Sequence, residues 1–189
     1  MKIPDQEKRM EPPFIFKWRG LIMAIVAAII LLVARPTVVS CCCGIVLAIL
    51  GEVLRSWALG WTGEHTRSQE LKASFLVTNG PYKYIRNPLY LGNILTGCGV
   101  MTASCGALPL WGCLGIWLLG SLSLYIVYAS CIISEEAFLA VRFGNIFFNY
   151  KACTPAILPC WRSVNDNHNQ ERLETQCQQR LQIILPGAA

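Results

Sequence analysis

Four apolar stretches alternate with polar segments along the 189-residue chain. They cover approximately residues 14–34, 37–60, 89–103 and 108–133. A helix that crosses a bilayer needs about 20 apolar residues. The third stretch and the uncharged part of the first, residues 20–34, are short by that measure, unless flanking residues reach the interface. The pattern therefore predicts an all-α integral membrane protein with about four transmembrane helices in two hairpins.

The polar segments divide the chain further. We expect residues 1–19 to be a cytoplasmic N-terminal segment and residues 20–162 to form one membrane domain. Residues 163–189 are rich in Asn, Asp and Gln and predict a flexible tail. The first apolar stretch is expected to be a retained helix, because Arg35-Pro36 and another span follow it where a signal peptide would have a small-residue cleavage site.

Composition and charge narrow the class of protein. Hydrophobic residues make up 54% of the chain and charged residues 14%, against about 25% charged in an ordinary soluble domain. A soluble nucleic-acid binder, a secreted disulfide scaffold and a disordered chain are therefore excluded. Of the sixteen Lys and Arg residues, five precede the uncharged part of the first span, four lie between the second and third spans, and five follow the fourth. The positive-inside rule then predicts that both termini are cytoplasmic, with anionic lipid a favoured partner and nucleic acid none.

The ten cysteines fit the same picture. Most lie in apolar stretches, no Cys-x-x-Cys pair exists, and the two histidines are far from any cysteine cluster. Buried cysteine behaves as a small hydrophobic residue. We therefore expect neither a metal site nor a redox function.

One polar segment that could bind a ligand leads into the third helix. Asn79-Gly80-Pro81 predicts a turn, and Asn87-Pro88 predicts a helix start with Asn87 as N-cap and Pro88 in the first turn. Backbone N–H groups and a positive dipole end would then lie at the membrane surface. Two interpretations stay open, namely an aromatic belt at the interface or a ligand-binding lip; the tyrosines concerned are Tyr82, Tyr84 and Tyr90.

Acidic residues occur at two further places on the predicted helices. Glu135 and Glu136 are predicted at the inner end of the fourth helix, where only one can face the bundle because neighbouring helical residues point about 100° apart. The other should meet headgroups or a basic residue. Glu52 and Arg55 are three residues apart on the second helix and can pair. Such a pair is either structural or marks a polar cavity.

In this order, the segments resemble the isoprenylcysteine carboxyl methyltransferase family and, more distantly, the phospholipid N-methyltransferases. The hallmark is Gly-x-Tyr, then Arg-His-Pro-x-Tyr-x-Gly, then Glu-Glu, Phe-Gly and Tyr. The matching run here is Gly80 to Gly92, followed by Glu135-Glu136, Phe143-Gly144 and Tyr150. Asn87 stands where the isoprenylcysteine enzymes usually have histidine. Cys131 stands where they carry an arginine.

The resemblance implies an integral-membrane enzyme that uses S-adenosylmethionine to methylate a lipophilic small-molecule or lipid-modified acceptor. It also implies that the cytoplasmic loop and the C-terminal segment form the cofactor site. No catalytic residue is implied. By position, the resemblance implies a set of cofactor-binding residues: Ser74, Phe75, Leu76, Val77, Tyr82, Asn87, Pro88, Leu89, Tyr90 and Glu135.

Other readings stay open. A phospholipid N-methyltransferase fits the Asn-Pro sequence at residues 87–88. A four-helix transporter in which Glu52 carries protons, or a membrane scaffold without activity, would instead leave the polar inner loop without a catalytic role.

Overall fold

The computed structural model describes residues 14–62 and 76–158, and all regular structure in these two ranges is helical. The prediction of an all-α protein is therefore confirmed for the described residues. Ser74, Phe75 and the polar tail lie outside them. The helices are α1 (Phe14–Val33), α2 (Val38–Thr62), α3 (Pro88–Ser104), α4 (Leu110–Phe143) and α5 (Asn145–Cys153), with a short 3₁₀ turn at Gly80–Lys83.

Three of these helices, α1, α2 and α4, are long and apolar enough to cross a membrane. The protein is therefore an integral membrane protein. Helix α3 has 17 residues, which corresponds to about 25 Å at the helical rise and falls short of the roughly 30 Å of a hydrocarbon core. The expectation of about four crossings thus holds by length and composition for three helices.

The fourth helix runs beyond the apolar stretch, which ends at Ile133, and it includes both glutamates as expected. Helix α4 continues to Phe143 and ends at Gly144, whose φ of +53° is a conformation that glycine adopts readily. The helix continues because both glutamates find partners on other segments, so neither acts as a terminating charge. Its 34 residues correspond to about 51 Å, which exceeds the bilayer core and carries the acidic pair to one end of the bundle.

Glycines hold α2 and α3 together, and this is the most extensive helix pairing in the described structure. A Cβ on Gly44 would lie 2.5 Å from the carbonyl oxygen of Gly99, and a Cβ on Gly51 would lie 2.5 Å from that of Gly92. Small residues at such positions let two backbones touch, which is how helices associate where no hydrophobic effect drives them.

The remaining contacts fix which end of the bundle is polar. Helix α1 packs mainly on α4. At one end, the backbone N–H of Arg35 donates to Ser104 and the N–H of Ala107 donates to Arg35, at 3.0 and 2.7 Å. These bonds join the two interhelical turns to each other. The acidic pair of α4, the start of α3 and helix α5 gather at the opposite end.

Candidate cofactor-binding site

The segment before α3 forms the turn that the sequence predicts. Gly80 has a φ of +61°, and a Cβ there would collide with the indole of Trp61. Glycine is therefore required for both reasons. Pro81 starts the 3₁₀ turn, and its carbonyl accepts hydrogen bonds from the N–H groups of Tyr84 and Ile85 at 3.2 and 3.1 Å. This geometry buries the Tyr82 ring against the bundle.

Asn87 occupies the N-cap position of α3 and Pro88 the first turn, but the Asn87 side chain does not cap the helix. Its Nδ2 donates instead to the carbonyl oxygen of Ala156 at 3.1 Å, and so does its backbone N–H, also at 3.1 Å. The N–H of Arg86 donates to Pro155 at 2.9 Å. The predicted N-cap position is therefore confirmed, but the side-chain capping bond is absent because residues 154–158, here called the C-terminal strap, orient the amide through its Nδ2 group.

Glu135 is held at the bundle end by a short hydrogen bond. The Tyr90 hydroxyl on α3 donates to Glu135 Oε1 at 2.6 Å, a length typical of a charge-assisted bond. The Tyr90 ring packs on Tyr128 of α4 with centroids 5.2 Å apart. Arg19 of α1 lies near enough to interact electrostatically with Glu135. Three helices thus converge on one carboxylate.

Glu136 has different surroundings. Its carboxylate lies 2.9 Å from Arg86 Nη2 and 2.8 Å from Lys151 Nζ, and Arg86 Nη1 donates to the Lys151 carbonyl at 2.8 Å. The Arg86 and Glu136 side chains are only 10% and 14% exposed. The contact between them is mainly electrostatic, because neither Arg86 Nε nor Glu136 Oε1 has a hydrogen-bond partner in the described part of the chain. Glu136 therefore ties α4 to the segment before α3 and to α5.

Two tyrosines outside the spans add neutral donors to this end. Burial raises the pKa of Tyr82 to about 12, an effect that a hydrogen bond with Thr62 opposes and the nearby Glu135 reinforces. Burial likewise raises the pKa of Tyr150. Its hydroxyl donates to the carbonyl oxygen of Tyr82 at 2.6 Å. Both phenols are therefore protonated at neutral pH, and Tyr150 fixes the turn that carries Tyr82.

The structure brings several of the residues implied by the resemblance to one end of the bundle. Tyr82, Tyr90 and Glu135 lie close together, and Asn87 and Pro88 begin the helix beside them. Leu76, Val77 and Leu89 are partly buried. Ser74 and Phe75 fall outside the described residues.

Sequence reasoning missed two contributors, Arg19 and Tyr128. A signal existed for Tyr128, because seven residues separate it from Glu135 and two helical turns place both on one face. The resemblance includes Tyr150, but its contacts and those of the strap join segments far apart in sequence, so no local pattern indicates their partners.

An apolar groove of about 220 Å³ lies elsewhere, between the end of α1 and the start of α4. Leu119, the last of its lining residues, is sixteen positions before Glu135, or about 24 Å along the helix. The groove is therefore separate from the carboxylate.

The fold and this end of the bundle define a helical membrane protein with a partly buried carboxylate among aromatic rings. A sequence profile of the isoprenylcysteine carboxyl methyltransferase family matches residues 44–141, slightly more than half of the chain. The chain belongs to that family. The matched region includes most of α2, all of α3 and most of α4 with both glutamates, and excludes Arg19, Tyr150 and the strap.

Individual relatives agree with this assignment. The chain is 32% identical over 114 residues to a protein-S-isoprenylcysteine O-methyltransferase of Schizosaccharomyces pombe, covering 58% of this chain and 45% of the relative. It is 28% identical over 125 residues to the protein of the same name from Xenopus laevis, covering 64% and 41%. It is also 33% identical over 115 residues to the cobalt-zinc-cadmium resistance protein CzcN of Cupriavidus metallidurans, covering 60% and 48%. The matched part is therefore less than half the length of each relative. No solved structure matches the chain.

Proposed function

We propose that this protein is an integral-membrane methyltransferase that uses S-adenosylmethionine to methylate a lipophilic acceptor, with an S-prenylcysteine carboxylate as the substrate. The observation that carries the proposal is the Tyr90–Glu135 hydrogen bond of 2.6 Å at the start of α3. It orients a carboxylate toward the end of the bundle where the helix begins and the aromatic rings gather. The family membership and the names of two relatives support the choice of reaction.

The residues at this end suit the methyl donor, which carries an ammonium, a carboxylate and a sulfonium. Glu135 would bind the ammonium or the ribose hydroxyls. The N–H groups at the start of α3 would bind the carboxylate. The rings of Tyr82, Tyr90 and Tyr128 would flank the sulfonium or the adenine. Leu76, Val77, Asn87, Pro88 and Leu89 complete the proposed pocket, with Ser74 and Phe75 joining it by their spacing.

The chemistry needs little from acidic or basic groups. A carboxylate oxygen of the acceptor forms a bond to the methyl carbon while the methyl–sulfur bond breaks, giving a neutral ester and a neutral thioether. Because the opposite charges cancel and no proton moves, the protein's task is to align the two partners and exclude water.

The proposal also includes an orientation in the membrane. We propose that both termini and the Glu135 end face the cytoplasm, which supplies the methyl donor, while the acceptor arrives from the membrane. A single cysteine placed at Arg67 in a variant without other cysteines should react with an impermeant maleimide only from the cytoplasmic side. Labelling only from the outer side would contradict this orientation.

The decisive experiment uses purified protein in detergent. Saturable binding of S-adenosylmethionine, followed by transfer of its labelled methyl group to S-farnesylcysteine as a base-labile ester, is the expected result. Labelled phospholipid recovered from a native lipid extract would instead favour a phospholipid N-methyltransferase. Absence of saturable binding would contradict the proposal and favour a scaffold.

A further inference from the structure

An exposed ion pair lies within the membrane-spanning helix α2. Arg55 Nη1 contacts Glu52 Oε1 at 3.1 Å, and the two side chains are 44% and 55% exposed. Arg55 is seven residues before the end of α2 at Thr62, or about 10 Å along the helix. Charged groups at that depth are costly in hydrocarbon and usually face a polar cavity or pathway.

The Arg55 side chain does not extend toward the nearer end of α2, which would reduce the cost of placing its charge in hydrocarbon. A membrane arginine commonly extends its side chain toward the nearer interface. Here the guanidinium bonds to Glu52, which lies almost one turn farther from the Thr62 end. The guanidinium is therefore held back from the Thr62 end of α2. Among the described residues this contact occupies one of the five N–H donors of the guanidinium, which leaves the others for a ligand.

A continuous set of contacts connects this pair to the candidate site. A Cβ on Gly92 of α3 would lie 3.1 Å from the Cβ of Arg55, so the glycine lets α2 come directly against α3. Arg55 also lies near Tyr128, whose hydroxyl is hydrogen-bonded to Asn93 of α3. Tyr128 in turn packs on the Tyr90 ring, and Tyr90 bonds to Glu135.

Between Tyr128 and Glu135, the face of α4 that lines this path supplies no cation. Tyr128, Cys131 and Glu135 follow one another along it at spacings of three and four residues. An anionic group that approached this face would need a positive partner from a neighbouring helix. Arg19 of α1 is bonded to the carbonyl oxygen of Phe16 and lies over its ring. Arg55 of α2 is 44% exposed and lies near Tyr128, so it meets that requirement.

We propose that Arg55 binds an anionic oxygen group of the lipophilic acceptor, a carboxylate or a phosphate, as the acceptor enters from the membrane beside α2. Glu52 orients the guanidinium. This inference rests on the proposed function and adds a specificity-determining residue to it. Arg55 touches the substrate's charged group and takes no part in the bonds that form or break.

Binding of paired probes in detergent tests the inference without turnover. One arm compares S-farnesylcysteine with its carboxamide, which lacks the charged carboxylate. The other compares a short-chain phosphatidylethanolamine with the matching diacylglycerol. The variants are Arg55→Gln, Arg55→Lys and Glu52→Gln, and Arg35→Gln serves as control because it removes an arginine at the opposite end of the bundle.

The expected result is that, in one pair, the unmodified protein binds the member with the anionic oxygen group at least about tenfold more tightly than the member that lacks it. That pair identifies the group as carboxylate or phosphate. Arg55→Gln should abolish the preference, Arg55→Lys should restore part of it, Glu52→Gln should reduce it, and Arg35→Gln should preserve it. Affinity for S-adenosylmethionine should change less than about threefold in all four variants.

Three outcomes would overturn the inference: no preference in either arm, an unchanged preference in Arg55→Gln, or loss of S-adenosylmethionine binding together with the preference, which would make Arg55 structural. The proposed function fails separately, when the unmodified protein itself does not bind S-adenosylmethionine.

Discussion

Replacing the two adjacent glutamates one at a time should produce two different defects. Glu135 accepts the Tyr90 hydrogen bond and is proposed to meet the methyl donor, whereas Glu136 pairs with Arg86 and Lys151. Glu135→Gln should therefore lower affinity for S-adenosylmethionine by about 2–5 kcal/mol, the cost of losing a charged contact in a desolvated site. That corresponds to roughly 30-fold or more.

Stability should respond in the opposite way. Glu136→Gln leaves the Arg86 guanidinium, only 10% exposed, without its counter-charge. Breaking such a pair costs about 3 kcal/mol, and the half-exposed Lys151 adds under about 1 kcal/mol. A loss of that size lowers the melting temperature by roughly 6–12 °C in a chain of this length. Glu135→Gln should leave it nearly unchanged, because the glutamine oxygen still accepts from Tyr90 and a buried charge is removed.

The assay titrates S-adenosylmethionine into both variants in detergent, well below their melting temperatures, and records thermal unfolding in parallel. Affinity should fall in Glu135→Gln alone and melting temperature in Glu136→Gln alone. Equal, small losses of affinity in both variants would refute the site. A loss of affinity in Glu136→Gln alone would keep a site at this end but would show that Glu136, and not Glu135, binds the ligand.

Three further predictions concern helix packing, ligand binding and the pH dependence of stability. Gly51→Leu should separate α2 from α3 and abolish folding as judged by size-exclusion chromatography, whereas Gly60→Leu, which has open space around it, should not. Tyr90→Phe should weaken S-adenosylmethionine binding by about 1 kcal/mol, or roughly fivefold, by removing the hydroxyl that orients Glu135; an unchanged dissociation constant would contradict this role. The raised pKa of Tyr82 stabilises the fold fully below the unfolded pKa of about 10. That contribution should disappear as pH rises toward about 12, and Tyr82→Phe should flatten the alkaline loss in denaturant titrations.

Much of the helical framework follows from local sequence. The first three helices begin and end within two residues of the predicted bounds, because continuous apolar stretches, Arg35-Pro36 and Asn87-Pro88 act on neighbouring residues. The end of α4 did not follow. Whether Glu135 and Glu136 stop a helix depends on partners at Tyr90 and Arg86, which lie 45 and 50 positions earlier in the chain.

The site was predictable in identity more than in geometry. The resemblance named Tyr90 and Glu135, and the structure adds the bond that joins them. The side-chain role of Asn87 was mispredicted, since a capping asparagine and one that reaches another segment are identical in sequence. The competing acceptor is Ala156, 69 positions away. The pairing of Glu52 with Arg55 was predictable, because both residues lie on one helix and their spacing alone sets the distance.

The C-terminal strap is recognised through its backbone alone in the bonds described here. Arg86 and Asn87 donate to the carbonyl oxygens of Pro155 and Ala156, which every residue type possesses. The side chains at these two positions are therefore free to change without loss of the contact. The number of residues between α5 and these carbonyl groups cannot change in the same way, because one insertion or deletion would move every carbonyl out of register. The contact with the start of α3 therefore constrains the length of the chain between α5 and the strap, and it does not constrain the side chains at positions 155 and 156.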